Sequence, residues 1–297
     1  MKNVDRSKDH IRDIFKDVYG YHAPYTPMTA DLKDRVAIIT GATGMIGGAA
    51  ADLFAACGAK VIITGRKDNI GAEKVKEITD KGGFAQYYHV DLSKEEDIKN
   101  LVDSVIAEHG RVDILVANAG ANWSSRKPLP YFDEDLYDKN IDANLNIGSI
   151  YIAQQVIPHM IQQGGGNIIF TSSICGVTGL RLQSGFVASK FAISAITKSM
   201  AIEYGKYNIR VNTLAPGSLP NPDDKVNFLW DSCDFEDYDA NFDNPKTMVF
   251  DIPARRPAYP SDMAGILLYL ASDDACYTTG QVICVDGGWT AGLSGLY

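Results

Sequence analysis

The sequence predicts an α/β fold: a doubly wound parallel sheet in a single domain, residues 31–297, preceded by an arm over residues 1–30. Two observations carry this. From Arg35 onward, short apolar runs alternate with helical segments, the pattern of a parallel sheet covered on both faces. The first run also opens straight into a Gly-rich turn and a helix, the join at which such sheets bind ligands. A chain of 297 residues, 45% hydrophobic, is long enough to bury one full core.

The elements follow in order. In the arm, DHIRDIFKDVYG has the spacing of a short amphipathic helix, and YHAPYTPMTA reads as an extended connector, packed on the domain or on a neighbouring subunit. RVAIIT is the first strand, and MIGGAAADLFAA the first helix, ended by Cys57-Gly58. KVIITG and AQYYHVDL are the next two strands. Ser93 and Glu96 have the spacing of a capping box, opening a helix with Ile98, Leu101, Val102, Val105 and Ile106 on one face. VDILVANAG, GNIIFTSS, IRVNTLAPG and QVICVDGG supply four more strands, separated by helical segments. One interval, about 221–257, has no strand pattern and gathers acids (Asp223, Asp231, Glu236) and aromatics (Phe228, Trp230, Tyr238). Long insertions in compact α/β domains are usually lids or binding loops, and the aromatics favour a lid over a plain surface excursion.

Composition excludes several classes. A net charge of −9 argues against nucleic acid or an anionic membrane, since both select for Lys/Arg patches. No apolar run approaches the roughly 20 residues of a membrane helix, and MKNVDRSKDH lacks a signal peptide's apolar region. The five cysteines are odd in number, scattered and without a CxxC pair, so they read as thiols of a reducing compartment. The histidines show no ligand spacing. The expectation is a cytoplasmic, metal-free protein whose partner is a small molecule.

The turn Thr40-Gly41-Ala42-Thr43-Gly44-Met45-Ile46-Gly47 lets backbone approach a pyrophosphate, with the helix N-terminus facing its negative charge. Gly41, Thr43, Met45 and Ile46 are therefore candidate cofactor contacts. The second strand ends Thr64-Gly65-Arg66. Dinucleotide folds that prefer NAD usually place an acid here to hold both ribose hydroxyls. Gly65 takes that place, and Arg66 offers a cation to a 2′-phosphate, which favours NADP(H) over NAD(H). The plainer alternative is that Arg66 stacks on adenine or faces solvent.

From about Arg35 to Gly288 the chain resembles the short-chain dehydrogenase/reductase family. The family's glycine motif matches at Thr40, Gly41 and Gly47; its second glycine commonly falls at position 45, Met here, while Gly44 carries a glycine one place earlier. That spacing is more typical of the family's extended branch, although the rest looks like the single-domain type. Asp91-Leu92 resembles the pair that contacts adenine, and Asn118-Ala119-Gly120 the element that ends the fourth strand and supports the cofactor. Asn144 in IDANL is similar to the asparagine of the catalytic tetrad, and Ser173 in IIFTSS to its serine. Pro216-Gly217, with Leu219 just beyond, is similar to the turn beside the nicotinamide, and Val285-Asp286-Gly287-Gly288 to the C-terminal core signature. Singly these are weak; their order and spacing together are strong. The resemblance implies a Rossmann-like domain and a homotetramer or homodimer paired through helices within residues 132–163 and 183–204. Ile147, Ile150, Ile152 and Val156 fit such pairing, and equally a fully buried helix.

SGFVASK, residues 184–190, would read as the family's YxxxK with tyrosine at 186. In the family that tyrosine exchanges a proton as hydride moves between nicotinamide and the carbonyl or carbinol carbon. The lysine, Lys190 here, holds the nicotinamide ribose and lowers the tyrosine pKa; the serine hydrogen-bonds the substrate oxygen; the asparagine supports a proton-relaying water. Phe186 can do no acid–base chemistry, so a contribution of about 10²–10⁴-fold in rate is expected to be missing while cofactor binding survives. Three explanations stand: a Tyr-to-Phe form of an active dehydrogenase; a natural enzyme whose proton comes from Ser173, water or substrate, or whose chemistry is alkene reduction or elimination; and a nucleotide-sensing protein without turnover. Retained Asn144, Ser173 and Lys190 weigh against the third, because a decaying site usually loses several members.

For substrate, APGSLPNP and GGWTAG resemble segments of family members acting on sugar acids and polyols. Arg181, Arg255 and Arg256 are candidate partners for a substrate carboxylate, or surface charges offsetting the acidic insertion. The insertion's aromatics keep a bulky apolar alcohol such as a hydroxysteroid as the alternative.

Overall fold

The computed structural model describes residues 28–120, 129–131, 133–180, 183–219, 252–254, 256 and 258–292. Nearly all of the expected arm and lid, together with Arg181 and Arg255, lies outside the described residues.

Seven strands form one parallel sheet in the order β3-β2-β1-β4-β5-β6-β7. They are β1 (Val36–Ile39), β2 (Lys60–Gly65), β3 (Phe84–His89), β4 (Ile114–Ala117), β5 (Gly166–Thr171), β6 (Ile209–Pro216) and β7 (Val282–Val285). β1 and β4, at the centre of the sheet, are apolar and buried at every position because both faces are covered. In β1, Ala37 and Ile39 enter one core cluster while Val36 and Ile38 enter the other, the two-residue alternation of a strand.

The first cluster lies under α1 (Met45–Ala56), α2 (Asp68–Asp80) and α7 (Pro260–Ala271), with Phe54, Ile78 and Leu267 buried in it. The second lies under α3 (Glu95–His109), α5 (Ile152–Gln163) and α6 (Ser184–Tyr204), around Leu101, Val156 and Ile193. Ile152 and Val156 are thus core residues of this layer, while Ile147 and Ile150 are half-buried. Between α4 (Glu134–Ile141) and α5 the helix widens into a π-helical stretch, Asp142–Tyr151. π-Helical insertions are rare and gather at functional sites.

One expected local feature does not form. α3 starts at Glu95 with Lys94 as its N-cap and no side-chain capping bond. The helix begins one residue later than a Ser93 cap requires, and Ser93 turns toward Asp91, its hydroxyl donating to Oδ1 at 2.9 Å. Glu95, Glu96 and Asp97 in the first turn offset the helix dipole in its place.

The strand order reverses at β1, which has β2 on one side and β4 on the other. The chain leaves these two strands toward opposite faces, so a crevice opens beyond their carboxyl ends. The candidate site lies there.

Candidate active site

The floor of the crevice is held by a small polar cluster. Thr40 Oγ1 accepts from the amides of Asn118 and Ala119, both at 3.0 Å, and Asn118 Nδ2 donates to the Thr40 carbonyl at 3.0 Å. The ends of β1 and β4 are therefore fastened to each other. Gly41, at φ +67°, turns the chain from β1 toward α1. A Cβ on Gly47 would lie 2.7 Å from the Gly41 carbonyl oxygen and 2.9 Å from Ala42 Cα, so the helix approaches the turn more closely than any side chain allows. Gly44, the N-cap of α1, supplies no side-chain acceptor, and the helix carries no acid in its first turn. A phosphate group fits this arrangement, because the first-turn amides and the helix dipole are left for an anion.

A cleft of about 600 Å³ spreads from this turn. Of the expected cofactor contacts, Gly41, Thr43, Met45, Ile46, Arg66, Asp91, Leu92, Asn118, Gly120 and Leu219 line it. Its charged lining residues are Arg66, Lys139 and Asp91. Asp91 is held below the usual carboxylate range, first by the Ser93 amide, which donates to Oδ1 at 3.0 Å, and further by the Ser93 hydroxyl and Arg66. Pro216 and Gly217 do not line this cleft. They close the edge of the sheet, where the Gly217 amide donates to the Val285 carbonyl, and Gly217 borders a second hollow of about 410 Å³ with Ile252, Arg256 and Asp286. Arg256 is engaged in a bidentate pair with Asp262 at 2.6 and 3.0 Å.

The four expected catalytic positions lie on α6, just after β5 and in the π-helical stretch, and none of them, Lys190 included, lines the cleft of about 600 Å³. Phe186 and Lys190 are four apart on α6, so they share a helix face, with Lys190 Nζ 5.6 Å from the Phe186 ring centroid. Lys190 is buried and donates from Nζ to the Thr171 carbonyl at 3.1 Å, while its own carbonyl accepts from the Ser172 hydroxyl at 2.8 Å. Burial lowers its pKa to about 8. Ser173 follows β5, and its Oγ accepts from the Cys175 amide at 3.1 Å. Asn144 is buried in the π-helical stretch, where the Ser149 hydroxyl takes its carbonyl at 2.7 Å and its Nδ2 donates to Ser189 Oγ at 3.4 Å. A Cβ on Gly120 would fall 2.6 Å from Asn144 Oδ1 and 3.3 Å from Lys190 Nζ. Those two polar groups therefore meet over a residue that also lines the cleft.

Sequence reasoning missed Lys139 and Ala143, which bring α4 and the π-helical stretch to the cleft wall. The signal was present: they sit one helical turn apart, with Ala143 directly before Asn144. Among the described residues, no group of three or more His, Cys, Asp or Glu could hold a metal ion, and no helix is long and apolar enough to cross a membrane.

Comparison with known proteins places this geometry in context. Residues 41–290 match the family model described as "Enoyl-(Acyl carrier protein) reductase". The chain is 36% identical over 258 residues to the 3-oxoacyl-(acyl-carrier-protein) reductase FabG of Thermotoga maritima, covering 86% of this chain and 98% of that protein. It superimposes with a TM-score of 0.78 on a gluconate 5-dehydrogenase from Burkholderia cenocepacia J2315 in complex with NADP and tartrate, at 30% identity, covering 89% of this chain and 98% of the other. A 7α-hydroxysteroid dehydrogenase complexed with NADH and 7-oxoglycochenodeoxycholic acid gives 0.76 at 30% identity, covering 90% and 97%.

Proposed function

The chain belongs to the short-chain dehydrogenase/reductase family, and from that premise we propose a preference for NADP(H), a sugar-acid or polyol substrate, and a site impaired at Phe186. At the coarser level it is an NAD(P)-dependent oxidoreductase acting between an alcohol and a ketone. The observation that carries the reading is the cleft: it is lined by a glycine turn at a helix N-terminus, by Arg66, and by Gly120, beside which Lys190 and Asn144 lie.

When bound, the nicotinamide supplies or takes the hydride. The α1 turn would receive the pyrophosphate, Arg66 the 2′-phosphate, Asp91 and Leu92 the adenine, and Lys190 the nicotinamide ribose. Ser173 would hold the substrate oxygen and Asn144 a relaying water. Phe186 brings a ring but no proton to that oxygen, so this chain turns over ketones slowly while keeping its cofactor. The sugar-acid reading is supported by the likeness to the gluconate 5-dehydrogenase that holds tartrate. A hydroxysteroid is the second reading, supported by the similar likeness to the 7α-hydroxysteroid dehydrogenase.

The two are separated by melting the purified chain with NADPH and either keto-sugar acids or oxo-steroids. A rise in Tm with the sugar acids alone is expected. Stabilisation by the steroids alone reverses the order, and none by either removes both.

A further inference from the structure

One carboxylate near the cleft works against an NADP(H) preference unless something restrains it. Asp68 is the first residue of α2, two positions beyond Arg66, yet it is absent from the described lining of the cleft. Two groups from β3 hold it. The Tyr87 hydroxyl lies 3.0 Å from Asp68 Oδ1 and 2.8 Å from the Gly65 carbonyl, its single proton shared between them. His89 Nδ1 lies 2.7 Å from the same Oδ1, and because a carboxylate only accepts, Nδ1 carries the proton. Tyr87 and His89 are two apart on one strand and so project to the same side. The Tyr87 ring is fixed against α2, where a Cβ on Gly71 would overlap it at 2.2 Å. These bonds, His89's first and Tyr87's second, hold Asp68 below the ordinary aspartate pKa, so it is a full negative charge.

We propose that Tyr87 and His89 are positioning residues that set nucleotide selectivity, by keeping the Asp68 carboxylate on the β3 side of the β2–α2 turn. Released, Asp68 is one hydroxyl away from Gly65, which lines the cleft, and would oppose a 2′-phosphate or accept from a bare ribose. Held, it leaves Arg66 with Asp91 alone as its neighbouring acid among the lining residues, rather than with two. The inference rests on the NADP(H) reading and extends it to residues outside the nucleotide contacts.

The test is a pair of fluorescence titrations, NADPH and NADH, on the full chain and its variants. Tyr87→Phe with His89→Ala is expected to raise the NADPH Kd about 3- to 10-fold, the effect of one like charge at short range near water, with NADH unchanged or tighter. His89→Asn retains a donor at the Nδ1 position and should keep the original selectivity. Adding Asp68→Asn to the double variant should restore it, because the charge itself is then gone. A Kd ratio unmoved in the double variant, or a loss that Asp68→Asn leaves in place, overturns the inference while the cofactor reading stands. Failure of the unaltered chain to bind either nucleotide overturns both. A general loss of fold would weaken both nucleotides alike, so the ratio separates it from selectivity.

Discussion

Phe186 and Lys190 lie one turn apart on α6, with Lys190 Nζ 5.6 Å from the Phe186 ring centroid. Introducing a hydroxyl with Phe186→Tyr is expected to raise kcat by about 10²–10⁴-fold, the usual worth of a positioned acid–base group, while the NADPH Kd stays within about twofold. Equal turnover with either residue would show that the proton travels another way. Lys190 supplies a second expectation, in stability. Its folded pKa of about 8 lies below its ordinary 10.5, so between those values the unfolded chain holds a proton that the folded chain lacks. Stability therefore rises with pH across that window; below it the ammonium is charged in both states and its burial cost is felt in full. Relative to Lys190→Met, the unaltered chain should gain about 1–3 kcal/mol between pH 8 and 10.5, read by urea unfolding of both proteins. A difference independent of pH contradicts the buried ammonium. The spacing of Phe186 and Lys190 was legible in the sequence because four residues make one helical turn. The Asp68–His89–Tyr87 cluster was not, because it joins a helix start to a neighbouring strand through side-chain bonds without a sequence pattern.

At the scale of elements, α1 and the turn before it form the most constrained piece. Gly47→Ala would drive its Cβ into the Gly41 carbonyl and Ala42 Cα, both backbone atoms that cannot step aside. We expect a loss of about 1–3 kcal/mol in unfolding free energy and at least a tenfold weaker NADPH Kd, since the same turn shapes the cleft. Undiminished binding would show that the turn plays no part in holding the nucleotide. The strands were readable as short runs, most plainly β1 and β4, because strands buried on both faces admit little but apolar residues, and the first helix as the stretch ended by Cys57-Gly58. The capping box at Ser93 was misread because the helix starts one residue later and Ser93 is turned toward Asp91, a difference of register that spacing alone does not reveal. The π-helical stretch was invisible for a related reason: widening a helix over ten residues changes no residue type, yet it carries Asn144 to Gly120.

At the scale of the whole molecule, the position of the site follows from topology. A parallel sheet whose order reverses at β1 opens a crevice at the carboxyl ends of β1 and β4, and Thr40 with Asn118 fastens those ends. The order of motifs along the sequence located the crevice; the size of the cleft is a property of the folded chain that no motif carries. The central claim is that this cleft holds a pyridine nucleotide, and equilibrium titration of the purified chain with NADPH tests it most directly. We expect saturable binding at one site per chain, with Tm rising as nucleotide is added because only the folded state binds. The absence of saturable binding by both NADPH and NADH would contradict the account.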